Sequence, residues 1–292
     1  MKNGKKFLKK LLSILGMAIA IFLVLDLILV LFIPVGSIVP GALGDVKDNR
    51  LNILLMGTDE SGLRTDTMMI ASFDNNKRGL CLISIPRDIK VTYPRNTTNK
   101  LNAVYGISNK KPENTIKFIE GYTGLTINYY AVIKPKGFRD FIDALGGVKF
   151  DVPIDMKYSD PTQNLYIDLK KGEQIINGKK AEQLTRFRGY PNADLGRIEV
   201  QRDFMKAILT QKVNPVNILR AGEIFARFKL SVNTNITSLD APAILKSVQM
   251  TKKSSIKTIE VVTRSQSSGG VSYLMCDEKQ TKALIEKELA FK

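Results

Sequence analysis

An α/β domain with a central mixed β-sheet flanked by helices, preceded by one membrane-spanning helix, is the architecture this sequence predicts. Three observations carry that reading. Short runs rich in Ile, Val, Leu and aromatic residues recur between Gly, Pro, Asn and Asp, as strands do. Segments with apolar residues at i, i+3, i+4 and i+7 lie between them, as in helices that cover a sheet. An apolar run of 23 residues, Leu11 to Ile33, stands near the N-terminus.

Residues 1–10 form a basic N-terminus in which Lys2, Lys5, Lys6, Lys9 and Lys10 precede the apolar run. At 1.5 Å per helical residue, residues 11–33 reach about 34 Å, enough to cross a hydrocarbon core of about 30 Å. Lysines before the span put the N-terminus in the cytoplasm and the remainder outside. A cleaved signal peptide would have a shorter apolar core with its small-residue site beyond it, whereas Ala18 and Ala20 lie within this run. Asp26, the acid inside the run, reads as snorkelling to the outer interface.

Residues 34–50 carry two prolines and three glycines without either period, the composition of a linker. Residues 51–292 then form one extracytoplasmic domain. Its predicted strands are Leu51 to Met56, Thr67 to Phe73, Leu80 to Ile85, Thr126 to Ile133, Val148 to Val152 and Thr258 to Val262. In GFRDFIDALGG, Phe138, Phe141, Ile142 and Leu145 fall on one helical face, and Gly146 and Gly147 mark its end. Further helices are expected over Pro112 to Glu120, Leu195 to Gln211, Val216 to Phe228, Ala241 to Met250 and Glu278 to Leu289.

Formal charge is +16, of which the first 33 residues hold +4, leaving +12 outside the membrane. That balance suits anionic partners. There is no histidine, which excludes Ser-His-Asp and Cys-His catalysis and histidine-bound zinc. Cys81 and Cys276 are too few and too far apart for a disulfide framework and read as separate thiols. No helix-turn-helix or aromatic-interleaved basic stripe points to nucleic acid.

Chemistry is concentrated where arginine and aspartate abut apolar runs: Arg64 and Asp66 in RTDTMM, Arg87 and Asp88 in SIPRD, Arg186 and Arg188 in LTRFRG, Arg197 in GRIEVQR. Arginines seldom stand beside a core without an anion, and their bidentate fork favours phosphate. A converging set therefore predicts a pyrophosphate site. Asp59 and Asp66 flank one loop and are expected either to hold Mg²⁺ together with phosphate oxygens, or to cap a turn and to pair with Arg64, respectively. Arg87 ends an apolar strand, where open α/β sheets place ligands. Arg186 and Arg188 are expected on one side of a strand-like segment, with Phe187 on the other. A helix starting near Asp194 would put Arg197, Gln201, Phe204 and Ile208 on one face.

RTDTMM, SIPRD, KLNAVYG with Lys100, FIDALGGVKFDVP and RFRG…DLGRIEVQ resemble, in order and spacing, the LytR-CpsA-Psr (LCP) family over about residues 51–289. The resemblance implies a single LCP-type domain with an apolar lipid-binding tunnel for a polyprenyl-pyrophosphate tail. It implies transfer of wall teichoic acid or capsular polysaccharide from that carrier to peptidoglycan at the outer face of a Gram-positive membrane, with Mg²⁺, or Mn²⁺ in its place, as cofactor. By motif, Asp59 and Asp66 look like the metal acids. Arg64, Arg87, Lys100, Arg186, Arg188, Arg197 and Gln201 look like the pyrophosphate-binding set, of which Asp66, Arg87, Arg186 and Arg188 are the expected catalytic residues. Asp88 or Asp194 is the expected general base, if one is needed.

The sequence departs from the usual family pattern at Glu60, at Thr65 in RTDT, at Gly189, and at Val200 and Arg202 in EVQR. Those positions bear on peripheral contacts and donor preference. Two other activities share the same residues: hydrolysis of the lipid pyrophosphate by water, and binding of lipid precursors by a regulator without turnover.

Overall fold

Three hydrophobic runs close in sequence make the centre of the sheet: β1 (Arg50–Thr58), β2 (Thr65–Asp74) and β3 (Gly79–Ile85), an antiparallel meander. All of β3 is buried, which explains why its sequence is continuously apolar rather than alternating. The computed structural model describes residues 50–161, 165–191, 194–212, 231–237 and 240–291. The expected spanning run Leu11 to Ile33, the linker up to residue 49 and the expected helix Val216 to Phe228 lie outside the described residues, while Arg50, expected as the last linker residue, opens β1. Among those residues no helix is long and apolar enough to cross a membrane.

The chain continues through β4 (Lys90–Thr92), β5 (Thr98–Lys100), α1 (Leu101–Ile107), α2 (Glu113–Thr123), β6 (Tyr129–Ile133) and α3 (Pro135–Ala144). Next come β7 (Val148–Val152), β8 (Met156–Asp160), β9 (Leu165–Leu169), β10 (Gly172–Ile176), α4 (Gly178–Arg186) and α5 (Asp194–Lys212). The remaining elements are β11 (Val232–Thr234), α6 (Ala241–Met250), β12 (Ile256–Glu260), β13 (Thr263–Ser268), β14 (Val271–Cys276) and α7 (Glu278–Leu289). The sheet order is β11-β6-β1-β2-β3-β12, with β6 parallel to β1 and β12 parallel to β3, so the sheet is mixed.

Alternation along the central strands divides the interior. Leu54, Met56, Met68, Ile70 and Ile83 share a core with Leu101 and Val104 of α1, Ile119 of α2 and Ile285 of α7. On the opposite face Leu51, Ile53, Met69 and Phe73 meet Met205 and Leu209 of α5 and Ile244 of α6. Burial of both faces is what a mixed sheet flanked by helices requires.

A separate core joins α3, α4 and α5 to the small strands: Ile142, Val148, Ile167, Leu184 and Phe204 are buried in it. Pro135 stands in the first turn of α3. Gly146 and Gly147 end that helix at φ +74° and +72°, a left-handed backbone that suits glycine. The side chain of Asn177 caps α4 by accepting from Lys180 N–H at 3.0 Å. Gly178 is where α3 and α4 touch: a Cβ there would lie 2.3 Å from the carbonyl oxygen of Arg139.

The residues expected as a strand through Arg186 end a helix instead. Arg186 is the last residue of α4, and the chain turns extended only at Phe187. The capped N-terminus and the burial of Ala181 and Leu184 on one face outweigh the short alternation of LTRFRG. Cys81 and Cys276 are both free thiols. Burial pushes the Cys81 thiol up to about 12.

Candidate functional site

The sheet and the α3–α5 unit leave a cavity of about 380 Å³ between them. Leu55, Met69, Ile133, Phe138, Phe204 and Ile208 form its apolar wall. Six of the expected site residues line it as well: Asp59, Asp66, Arg186, Arg188, Arg197 and Gln201. The helix expected near Asp194 begins there, and its first turns bring Arg197, 3 % exposed, and Gln201 to the wall ahead of Phe204 and Ile208. Gln201 is held by donating to the Thr185 carbonyl at 2.8 Å.

Asp66 joins the cations of distant segments. Its Oδ1 accepts from Arg87 Nη1 at 2.9 Å and from Asn102 Nδ2 at 3.4 Å, and its Oδ2 lies 3.5 Å from Arg188 Nη2. The pairing expected with Arg64 is replaced by these contacts because Asp66 lies inside β2 while Arg64 stands exposed in the preceding loop. Asp59 stabilises that loop: Oδ1 accepts from Ser61 Oγ at 2.8 Å, Leu63 N at 3.0 Å and Arg64 N at 3.3 Å. Burial raises its carboxyl, but these hydrogen bonds outweigh burial and hold it below the ordinary value. Asp59 thus caps the turn and faces the cavity at once.

A second set of charges was not legible in the sequence. Glu182 of α4, with a side chain 13 % exposed, receives Arg139 Nη1 of α3 on one oxygen and Arg186 Nη1 on the other, the latter at 2.8 Å. Glu60 approaches the same guanidinium groups at 3.9 and 3.7 Å. Glu182 therefore holds one arginine of the cavity rim, Arg186, together with another, Arg139, that no motif marks. Glu182→Ala leaves two half-buried guanidinium groups without their shared acceptor and is expected to cost about 1–3 kcal/mol. Glu182→Gln, which keeps an acceptor, should recover part of that loss in a denaturant melt.

Arg87, Lys100 and Asp88 lie beside the cavity rather than on its wall. Asp88 Oδ1 accepts from Lys100 Nζ at 2.8 Å, and its Oδ2 stands 3.7 Å from Arg87 Nε. Asp88 is thereby engaged by two cations. Asp194 opens α5, and its side chain lies outside the described residues. Arg64, exposed, contributes its backbone N–H to Asp59.

Among the described residues no group of three or more His, Cys, Asp or Glu side chains is placed to hold a metal. Three carboxylates line this cavity; Glu182 is taken by Arg139 and Arg186, which leaves Asp59 and Asp66 as the candidate donor set. This donor set fits a hard cation such as Mg²⁺, which is commonly bound by one or two carboxylates plus phosphate oxygens and water. It does not fit a closed site made by protein alone.

Residues 39–289 match the LytR_cpsA_psr family. A relative named regulatory protein MsrR, from Staphylococcus aureus, is 32% identical over 197 residues, covering 66% of this chain and 59% of that protein. The polyisoprenyl-teichoic acid–peptidoglycan teichoic acid transferase TagV of Bacillus subtilis is 29% identical over 210 residues, covering 68% of this chain and 53% of that protein. The chain thus aligns with little more than half the length of these curated relatives. The crystal structure of B. subtilis TagV superposes with a TM-score of 0.69 at 24% identity, over 85% of this chain and 100% of that one. The fold is shared.

Proposed function

The chain belongs to the LytR_cpsA_psr family, and from that premise we propose that it is a membrane-anchored transferase. It moves a glycopolymer, wall teichoic acid or capsular polysaccharide, from a polyprenyl-pyrophosphate carrier to peptidoglycan outside the cell. One observation carries this reading: a single cavity combines an apolar wall with a rim of Asp59, Asp66, Arg186, Arg188, Arg197 and Gln201. The name of TagV, a relative that transfers teichoic acid to peptidoglycan, agrees with it.

In this mechanism the lipid tail occupies the apolar wall and the pyrophosphate meets the arginines at the rim. A sugar hydroxyl of peptidoglycan attacks the phosphorus that bears the polymer. The new O–P bond forms as the bond to the departing polyprenyl phosphate breaks, and the hydroxyl proton passes to Asp88 or Asp194 or to solvent. Arginine forks neutralise the charge that collects on the phosphates. Asp59 and Asp66 would hold Mg²⁺, or Mn²⁺, which supplies further neutralisation when bound. Gln201, tied to Thr185, keeps the first turns of α5 in place.

A cavity of about 150 Å³ accommodates benzene, so 380 Å³ has room for roughly fifteen carbons, about three isoprenoid units. A longer tail would pass beyond it. With the expected anchor in residues 11–33 holding the domain beside the bilayer, the rest of the tail stays in lipid.

The test uses the full-length chain in detergent with a polyprenyl-pyrophosphate-linked glycan, a peptidoglycan oligomer and Mg²⁺, and follows glycan attachment by mass spectrometry. Metal-dependent attachment that Arg87→Ala abolishes is the expected result. Release of glycan phosphate regardless of acceptor would make the protein a pyrophosphohydrolase. Tight donor binding without turnover would make it a precursor-binding regulator, a reading favoured by the name of its relative MsrR.

A further inference from the structure

Beside the cavity rim, the two-stranded ladder of β4 and β5 sets Lys90 directly opposite Lys100. Like charges in that relation weaken a hairpin, so the pair costs stability. The turn is held by other means: Tyr93 N–H donates to the Thr97 carbonyl at 2.8 Å and Asn99 Nδ2 to the Tyr93 carbonyl at 2.7 Å. Both lysines lean on one aromatic ring. Lys90 Nζ is 5.5 Å and Lys100 Nζ 5.9 Å from the ring centre of Tyr273 on β14, within cation–π range. The β13–β14 hairpin is brought there by the bridge between Ile89 and Leu274 and by Leu274 N–H donating to the Asp88 carbonyl at 3.0 Å.

The local charges do not balance. Asp88 serves Lys100 and Arg87, while Arg87 and Arg188 share Asp66. Among the described residues no carboxylate comes within 4.0 Å of Lys90. Contacts run without a break from Arg188 and Asp66 at the rim through Arg87, Asp88 and Lys100 to Tyr273 and Lys90.

We propose that Lys90, Lys100 and Tyr273 form a second anion subsite outside the cavity, which takes a phosphodiester of the polymer carried by the donor. Its identification as a polymer subsite rests on the transferase reading above. One non-bridging oxygen accepts from the compact lysine ammonium groups, and the adjoining polyol or sugar lies against the exposed part of the Tyr273 ring. The subsite senses the repeating phosphate of the polymer, whereas the cavity senses the lipid pyrophosphate common to every donor.

The experiment measures binding to the full-length chain in detergent by calorimetry, with three probes: farnesyl pyrophosphate, a glycerol-phosphate hexamer, and a phosphate-free muramyl peptide. Lys90→Gln is expected to weaken the hexamer about tenfold, the loss of one charge-assisted contact, Tyr273→Leu to weaken it roughly threefold to tenfold through loss of the ring under the lysines and the polyol, and both to leave farnesyl pyrophosphate unchanged. A hexamer that binds wild type and variants alike, or fails to bind wild type, overturns the proposal. So does weakening confined to the muramyl peptide, which would make the cluster an acceptor carboxylate site. Failure of farnesyl pyrophosphate to bind any form, with hexamer binding still sensitive to Lys90, would strike the reading of the cavity and leave this subsite standing.

Discussion

Asp66→Ala is expected to lower transfer by on the order of 10²–10³-fold, the usual effect of removing one group that organises charge at a reacting centre. Arg87 reaches Asp66 at 2.9 Å and Arg188 reaches it at 3.5 Å; without the carboxylate these guanidinium groups face one another with no common anion. Asn102 loses its acceptor as well. The same substitution removes one of the two acids that would hold Mg²⁺. Asp66→Asn separates the effects, since an amide oxygen can still accept from Arg87 but supplies no negative charge. Arginine placement dominates if turnover by the asparagine variant stays near wild type at saturating Mg²⁺. Charge at the metal dominates if both variants are equally inactive. Single-turnover assays with enzyme in excess over donor make that comparison.

Phe204→Ala should have the largest effect on stability, about 3–5 kcal/mol. Phe204 is 1 % exposed, and its ring meets Phe150 edge-on at 5.3 Å and Phe138 at 6.5 Å. Truncation removes both aromatic contacts and enlarges the adjoining cavity, which the rigid sheet opposite prevents from collapsing. At about 2–4 °C per kcal/mol for a domain of this size, the melting temperature should fall by roughly 6–20 °C. A thermal melt checks it. Phe204→Leu, which refills most of the volume, should lose much less.

The central strands were legible because burial on both faces makes most of their positions apolar, with Asn52, Ser72 and Ser84 among the exceptions; β7, α6 and α7 fall on the predicted residues. The small strands beside them were not. In β13 the sequence TRSQSS is exposed nearly throughout and carries none of the apolar alternation that marks a strand. Helix α4 is hidden for a related reason: GKKAEQLTR has only Ala181 and Leu184 as larger apolar side chains to place inside, and its local sequence signal is the Asn177 cap. At the site, motifs revealed the residues whose chemistry is unusual for their surroundings, such as Arg197 beside a core. They could not reveal Arg139 and Glu182, since an arginine and a glutamate on helices read as solvated until α3 and α4 are brought together. Nor could they tell that Arg64 would point to solvent while Arg87 reached Asp66, because the path of the loop decides both.

Helix α5 contributes Phe204 and Ile208 to one core, and Met205 and Leu209 to another across the sheet face, and the same helix carries Arg197 and Gln201 at the cavity. Its apolar and polar contacts therefore move as one rigid lever, because a packed helix rotates or tilts as a unit and does not bend residue by residue. In the proposed reaction, a tail too bulky for the space beside Phe204 would displace this lever and shift Arg197 at the cavity wall, whereas a tail that fits would leave the arginine in place. The shape of the lipid at one end of the helix would then be expressed as the grip on its headgroup at the other.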